Sequence, residues 1–231
     1  MKKIRIGVTD CSKYENYAKW ISNESNVETI KLGYKGNNFT DIEKCHGILL
    51  TGGEDVHPKF YKKPEYLSLC YQDDVDEYRD EFEWKVIEHT QTRQMPLLGI
   101  CRGQQIANVF FGGTLIPDIP SFLKTDHSKI NGDDRYHGVK VEAGSLLQQI
   151  TSFEKGEVNS AHHQSVDRIG EGLIANAFSD EGIIEGLERS HRKGKSYLML
   201  VQWHPERMLN QESAFTQKIK SSFLDNVKNN Q

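Results

Sequence analysis

The chain has 231 residues, with 29 lysines and arginines against 33 aspartates and glutamates, for a formal charge of −4. Apolar residues make up 36% and charged residues 27%, enough to build a core in one domain spanning residues 1–231 and too apolar for wholesale disorder. The mild acidity argues against nucleic acid or an anionic membrane as a partner, and no run approaches the roughly 18 apolar residues of a membrane span. The opening MKKIRIGVTDCS breaks its apolar run at Arg5, Thr9 and Asp10, short of the ~7–15 unbroken residues of a secretory signal. The cytoplasm is therefore the expected compartment.

Residues 2–9 are β-branched and end in a polar turn, which predicts a strand. A helix is expected over 13–22, a strand over 27–32 and a helical turn over 41–44. The compact GILL run at 47–50 predicts a buried strand, stopped by Thr51-Gly52-Gly53. Residues 54–74 are polar, aromatic and proline-bearing, and a loop of that length suits a lid over a site. A helix is expected over 76–93, with Tyr78, Phe82, Val86 and His89 forming one stripe. A buried strand over 95–100 and a helix over 104–111, closed by Gly112-Gly113, follow. Alternation of this kind predicts a mainly parallel sheet covered on both faces. The second half changes character, with short strands at 137–142, 173–178, 183–187 and 197–202. A last helix is expected over 211–226, where Phe215, Ile219 and Phe223 stand four apart.

Cys11, Cys45, Cys70 and Cys101 form no CxxC pair, and a disulfide scaffold does not suit this size. Only Cys101 lies in a Gly-x-Cys-x-Gly stretch, Gly99-Ile100-Cys101-Arg102-Gly103. A nucleophile on a sharp strand-to-helix turn needs small residues two positions to either side. The helix N-terminus there favours a thiolate. Taken alone, the stretch also fits a core cysteine beside a glycine turn. His204-Pro205-Glu206 supplies a base and its orienter. Residues two apart on an extended chain face one side, and Pro205 disfavours helix at His204; alone, the tripeptide also fits a structural turn. Two backbone N–H groups are candidates for an oxyanion hole: Arg102, next after the cysteine, and Gly53, in a loop where glycines allow close backbone approach. His162-His163-Gln164 can be read as metal ligands. Adjacent histidines on a strand face opposite ways, however, and no third ligand is spaced for it, so no metal is expected.

Together these pieces resemble the class I glutamine amidotransferase family, and within it the γ-glutamyl-γ-aminobutyrate hydrolase branch. The stretches that carry the resemblance are residues 50–58 (LTGGEDVHP), 79–83 (RDEFE), 99–105 (GICRGQQ), 158–165 (VNSAHHQS) and 201–206 (VQWHPE). The resemblance implies a flavodoxin-like α/β/α sandwich with a mainly parallel central sheet plus a smaller mixed β region. It implies a Cys101–His204–Glu206 triad and a γ-glutamyl thioester on Cys101, formed with loss of an amine and then hydrolysed. Gly52 and Gln105 would help hold the glutamyl group, and His163 and Gln164 would close on its α-amino and α-carboxylate end. No cofactor is implied, and the expected partner is a small γ-glutamyl substrate. With no P-loop and no synthetase-type segment after HPE, a free-standing hydrolase is expected. A glutaminase passing ammonia to a separate synthase is the alternative, followed by a non-catalytic regulatory module. Self-association as a homodimer stays open. Residues 55–74 and 121–136 are expected to shape the pocket for the leaving amine.

Overall fold

The computed structural model describes residues 3–24, 26–71 and 74–230. In chain order its regular elements are β1 (Ile4–Thr9), α1 (Tyr14–Ile21), β2 (Val27–Leu32), β3 (Gly47–Leu50), α2 (Glu77–Thr92), β4 (Leu97–Ile100) and α3 (Arg102–Phe110). There follow β5 (Leu115–Ile116), α4 (Ile119–Leu123), β6 (Arg135–Val141), α5 (Leu146–Thr151), β7 (Lys155–Ser160) and β8 (Ser165–Val166). The last are β9 (Leu173–Ser179), β10 (Ile184–Arg189), β11 (Leu198–Val201) and α6 (Ala214–Asn229).

One sheet runs β2-β1-β3-β4-β11-β10-β9-β6-β7. The first five strands are parallel, and from β10 onward the pairing is antiparallel. The parallel part has the doubly wound flavodoxin-like order, whose ligand sites lie beyond the C-terminal ends of the strands. The second β region is thus an antiparallel extension of the same sheet, with β5 and β8 paired beside it.

The central strands are continuous apolar runs because both faces are covered. Leu49, Leu98, Ile100, Met199 and Val201 face α1 and α6, and pack with Tyr17, Trp20, Phe215, Ile219 and Phe223. Their neighbours Ile48, Leu50, Leu97, Leu198 and Leu200 face α2 and α3, with Phe82, Val86, Ile87 and Ile106. This two-residue alternation fixes which side chains enter each layer.

Most expected elements are found, and several differ. The strand expected over 2–9 begins at Ile4, and Lys2 lies outside the described residues. The segment 54–74 contains two short 3-10 turns, Pro58–Tyr61 and Pro64–Leu69, with 72 and 73 outside the described residues. The stripe on α2 fails at Tyr78, which is 71% exposed. Arg79, Asp80 and Glu83 are buried instead, because the first turns of α2 pack on the strand ends through an ion network. Helix α3 starts at Arg102, two residues before the expected position. Among the described residues, no helix is long and apolar enough to cross a membrane.

Candidate active site

Cys101 stands between β4 and α3 with φ +53° and ψ −108°, a backbone conformation that costs roughly 1–3 kcal/mol for a residue with a side chain. The turn is tightly packed on both sides. A Cβ at Gly103 would lie 2.5 Å from the Leu50 carbonyl oxygen, and one at Gly99 would lie 2.8 Å from the Gly103 oxygen. The small residues expected on either side of the cysteine are therefore required by backbone contact. The Cys101 N–H donates to the Val201 carbonyl at 2.8 Å, tying the turn to the end of β11.

His204 follows that neighbouring strand. Its Nδ1 lies 2.9 Å from Glu206 Oε1, and both side chains are buried. The spacing does not work through extended chain as expected: Pro205–Arg207 forms a 3-10 turn with Pro205 in its first position. Proline is pre-organised for that position and has no N–H to leave unpaired, and the turn brings the carboxylate back under the ring. Burial pulls the His204 pKa down, but the charges of Glu206 and Cys101 outweigh it and hold the imidazole up to about 9. The ring is thereby set to carry a proton beside the thiol. Asn159 accepts the His204 N–H at 3.0 Å and donates to Asp134 at 2.8 Å, and Arg207 bridges Asp134 and Glu206.

The loop after β3 comes in from the other side. A Cβ on Gly52 would meet Tyr17 Oη at 2.6 Å, His204 Cε1 at 3.1 Å and Cys101 Cβ at 3.4 Å. Gly52 therefore lies against both Cys101 and His204, and only a glycine fits there. Gly53 has φ +138°, and a Cβ on it would strike Arg79. The buried Arg79 donates to the Gly52 carbonyl at 2.9 Å and to Thr51 Oγ1 at 3.0 Å, and pairs with Glu54 and Glu83. Arg102 sends its guanidinium back to Asp80 and Glu83, so only its backbone faces the turn. The RDEFE stretch thus braces the loop that carries Gly53 and the first residue of α3.

A cleft of ≈ 330 Å³ is lined by Cys101, Gly53, Gln105, His163 and Gln164, together with Asp55, Tyr71 and Asp74 from the long loop and Ser128 and Lys129 from the 121–136 segment. Both segments expected to shape the pocket therefore reach it. Gln105 donates to the Gln164 carbonyl at 3.0 Å and to Gln202 at 3.2 Å, so it also braces the opposite wall. His163 is held between Asp55 (2.8 Å) and Asp118 (3.2 Å) and stacks on Tyr71. Its ring nitrogens are engaged by protein carboxylates, and it acts on the cleft by fixing Asp55. Burial and the nearby Asp55 push the Asp74 carboxyl above its ordinary value. Burial pulls the His163 imidazole down, but Asp55 and Asp118 hold it above its ordinary value, so the wall sets acidic groups beside a histidine that balances part of their charge.

One residue on this site had no sequence signal. Tyr17, on α1, is fully buried; its hydroxyl accepts the Gly52 N–H at 3.1 Å and lies 3.4 Å from His204 Nδ1. It links the glycine loop to the histidine, yet nothing in YENYAKWI sets it apart from a core tyrosine. The premise that no third ligand stands near His162 also does not hold. His162 and His163 do face opposite ways, but His162 meets His127, His137 and Glu185, contributed by distant segments.

Residues 30–206 match the family model of peptidase C26. The protein Rv2859c of Mycobacterium tuberculosis, named for the glutamine amidotransferases, is 35% identical over 73% of this chain; the chain spans about half (53%) of its length. The Escherichia coli γ-glutamyl-γ-aminobutyrate hydrolase PuuD is 29% identical over 71% of this chain and 65% of its own. The crystal structure of a Thermoplasma acidophilum protein named for the GMP synthases matches with a TM-score of 0.72 at 16% identity, over 99% of this chain and 96% of that one; that likeness is one of fold. The fold, the motif positions and the family match agree: the chain belongs to the class I glutamine amidotransferase-like family, in its peptidase C26 group.

Proposed function

We propose that the protein is a cysteine hydrolase that cleaves γ-glutamyl amides of small amines and releases glutamate. The observation that supports it most is Cys101, held in a strained turn beside the buried His204–Glu206 pair and opening on a cleft with charged walls. The Cys101 thiolate attacks the γ-carbonyl carbon. The Gly53 and Arg102 N–H groups donate to the oxyanion. Protonated His204 gives its proton to the departing amine, leaving a γ-glutamyl thioester. Neutral His204 then takes a proton from water, which attacks the thioester and frees glutamate and Cys101. Glu206 holds the imidazole tautomer throughout. In the cleft, Asp74 and Asp55 suit the substrate α-ammonium, and Lys129 suits its α-carboxylate.

The test is a panel of γ-glutamyl amides with free glutamate as the readout, run with wild type and Cys101→Ala. Turnover by wild type alone, an acyl adduct on Cys101 by mass spectrometry, and no turnover by a folded Cys101→Ala are the expected results. Turnover that survives Cys101→Ala would overturn the assignment. Glutamine hydrolysis that rises only on adding a synthase would replace it with the ammonia-donor reading.

A further inference from the structure

Behind the wall that carries His163 and Gln164 lies a second cluster of chemistry-bearing side chains. His127 comes from the loop after α4, His137 from β6, His162 from the β7–β8 loop and Glu185 from β10. All four side chains are shielded, Glu185 completely. His127 Nδ1, His137 Nε2 and His162 Nε2 lie 3.3, 3.4 and 3.7 Å from the same oxygen, Glu185 Oε1. One donor atom from each residue falls within 4.8 Å of all the others. None of these three nitrogens, nor either Glu185 oxygen, has a hydrogen-bond partner of good geometry, although all are buried. Five unpaired buried polar atoms, four of them gathered within 4.8 Å of one another, would be costly if nothing joined them.

The outer side of each ring is engaged. His162 Nδ1 sits 2.9 Å from the Gln164 carbonyl and His137 Nδ1 sits 3.0 Å from the Gly138 carbonyl. A carbonyl only accepts, so each Nδ1 carries the hydrogen, and in the neutral ring Nε2 presents a lone pair inward. His127 Nε2 faces the Glu181 carboxylate at 3.7 Å, and its Nδ1 faces inward. Histidines that bind a metal are oriented in this way, the outer N–H given to a carbonyl or carboxylate.

The donor set, three imidazoles and a carboxylate, suits zinc, and the spacing is close to what that ion needs. Four ligands about 2.0–2.2 Å from a tetrahedral zinc stand roughly 3.3–3.5 Å from one another. The three distances from Glu185 Oε1 fall at or just above that range. We propose that His127, His137, His162 and Glu185 bind one zinc ion in a closed tetrahedral site. With four protein ligands no position is left for water or substrate, so the ion is structural. It fastens β6, β10 and two loops beside the cleft, holding the 162–164 segment that lines it. The inference does not depend on the reaction proposed for Cys101.

The experiment uses the whole protein, purified without chelator and without a histidine tag. Elemental analysis should find roughly one zinc per chain after exposure to zinc salt and gel filtration. Removal by a strong chelator should lower the Tm by several degrees, and zinc should restore it, as binding to the native state alone requires. Cobalt(II) in place of zinc should give the intense visible bands of a tetrahedral ion. The near-isosteric Glu185→Gln and His137→Gln, checked for folding by circular dichroism, should each lose most of the bound metal. Less than about a tenth of an equivalent in wild type, with a Tm indifferent to zinc and chelator, would overturn the site. A weak, octahedral cobalt spectrum would overturn the closed tetrahedral geometry. The wild-type measurements decide the matter even if both variants fail to fold.

Discussion

Glu206→Gln removes one negative charge from the site while keeping nearly the same shape. In the wild type, Glu206 Oε1 lies 2.9 Å from His204 Nδ1, and neither side chain is solvated enough for water to screen the pair. The gap between the ordinary imidazole value of 6.5 and about 9 corresponds to roughly 3 kcal/mol of preference for imidazolium. Burial works against that preference, and Glu206 is the largest cause acting in its favour. Without the carboxylate, the His204 pKa should drop, since Cys101 is then the main group left to oppose burial. Acylation passes through an imidazolium, so its barrier should rise by a comparable amount, lowering kcat by a factor on the order of 10²–10³. KM should change less, because Glu206 does not line the cleft. Steady-state kinetics on a γ-glutamyl amide give the rate, and an NMR titration of the His204 ring gives the pKa independently of turnover. If Glu206→Gln turns over like wild type, or its His204 still titrates near 9, the carboxylate is not the orienter and the His204–Glu206 pair is only a structural turn.

Tyr17→Phe should leave the Gly52 N–H buried without an acceptor, at a cost of about 1–3 kcal/mol; a Tm drop of several degrees and a lower kcat check it. Asp74→Asn should raise KM for γ-glutamyl amides more than it lowers kcat, since the role proposed for Asp74 is to meet the α-ammonium away from the reacting carbonyl. The His204 pKa is raised on folding, so its proton contributes stability that is complete below pH 6.5 and lost as pH rises through about 9. Thermal melts across that window should show a decline that is shallower in Glu206→Gln. Iodoacetamide should modify Cys101 before Cys45 and Cys70, whose thiols burial pushes up to about 12; peptide mapping reads the order.

What was legible in the sequence was what short-range chemistry dictates. Gly99, Cys101 and Gly103 are so constrained by backbone contact that the turn announces itself in five residues, and the buried parallel strands read as unbroken apolar runs. Helix α2 was legible as a helix but not by its buried face. Asp80 and Glu83 are inside because Arg102, about twenty positions away, meets them there, and Arg79 because it reaches Glu54 and the Gly52 carbonyl; an apolar periodicity cannot report a buried ion network. The pairing of His204 with Glu206 was anticipated from spacing, yet through extended chain instead of the 3-10 turn that makes it. Tyr17 and the cluster around Glu185 depend on which distant segments the sheet brings together. His127, His137, His162 and Glu185 have no common spacing, and β6, β7 and β10 are joined only by the tertiary pairing of the antiparallel extension.

The position of β11 has a consequence for the order in which the candidate site can be assembled. This strand lies between β4 and β10, with Val201 in register with Ile100, so the cysteine and histidine segments are one strand spacing apart in space. In the sequence they are separated by the whole antiparallel extension. A ribosome making this chain completes the thiol-bearing turn long before it makes the strand that delivers His204. Until β11 enters the middle of the sheet, the parallel and antiparallel halves have no shared hydrogen-bonded edge, and Cys101 has neither His204 nor the Val201 carbonyl. A chain that ends before β11 therefore holds Cys101 without the two groups that the complete sheet brings to it.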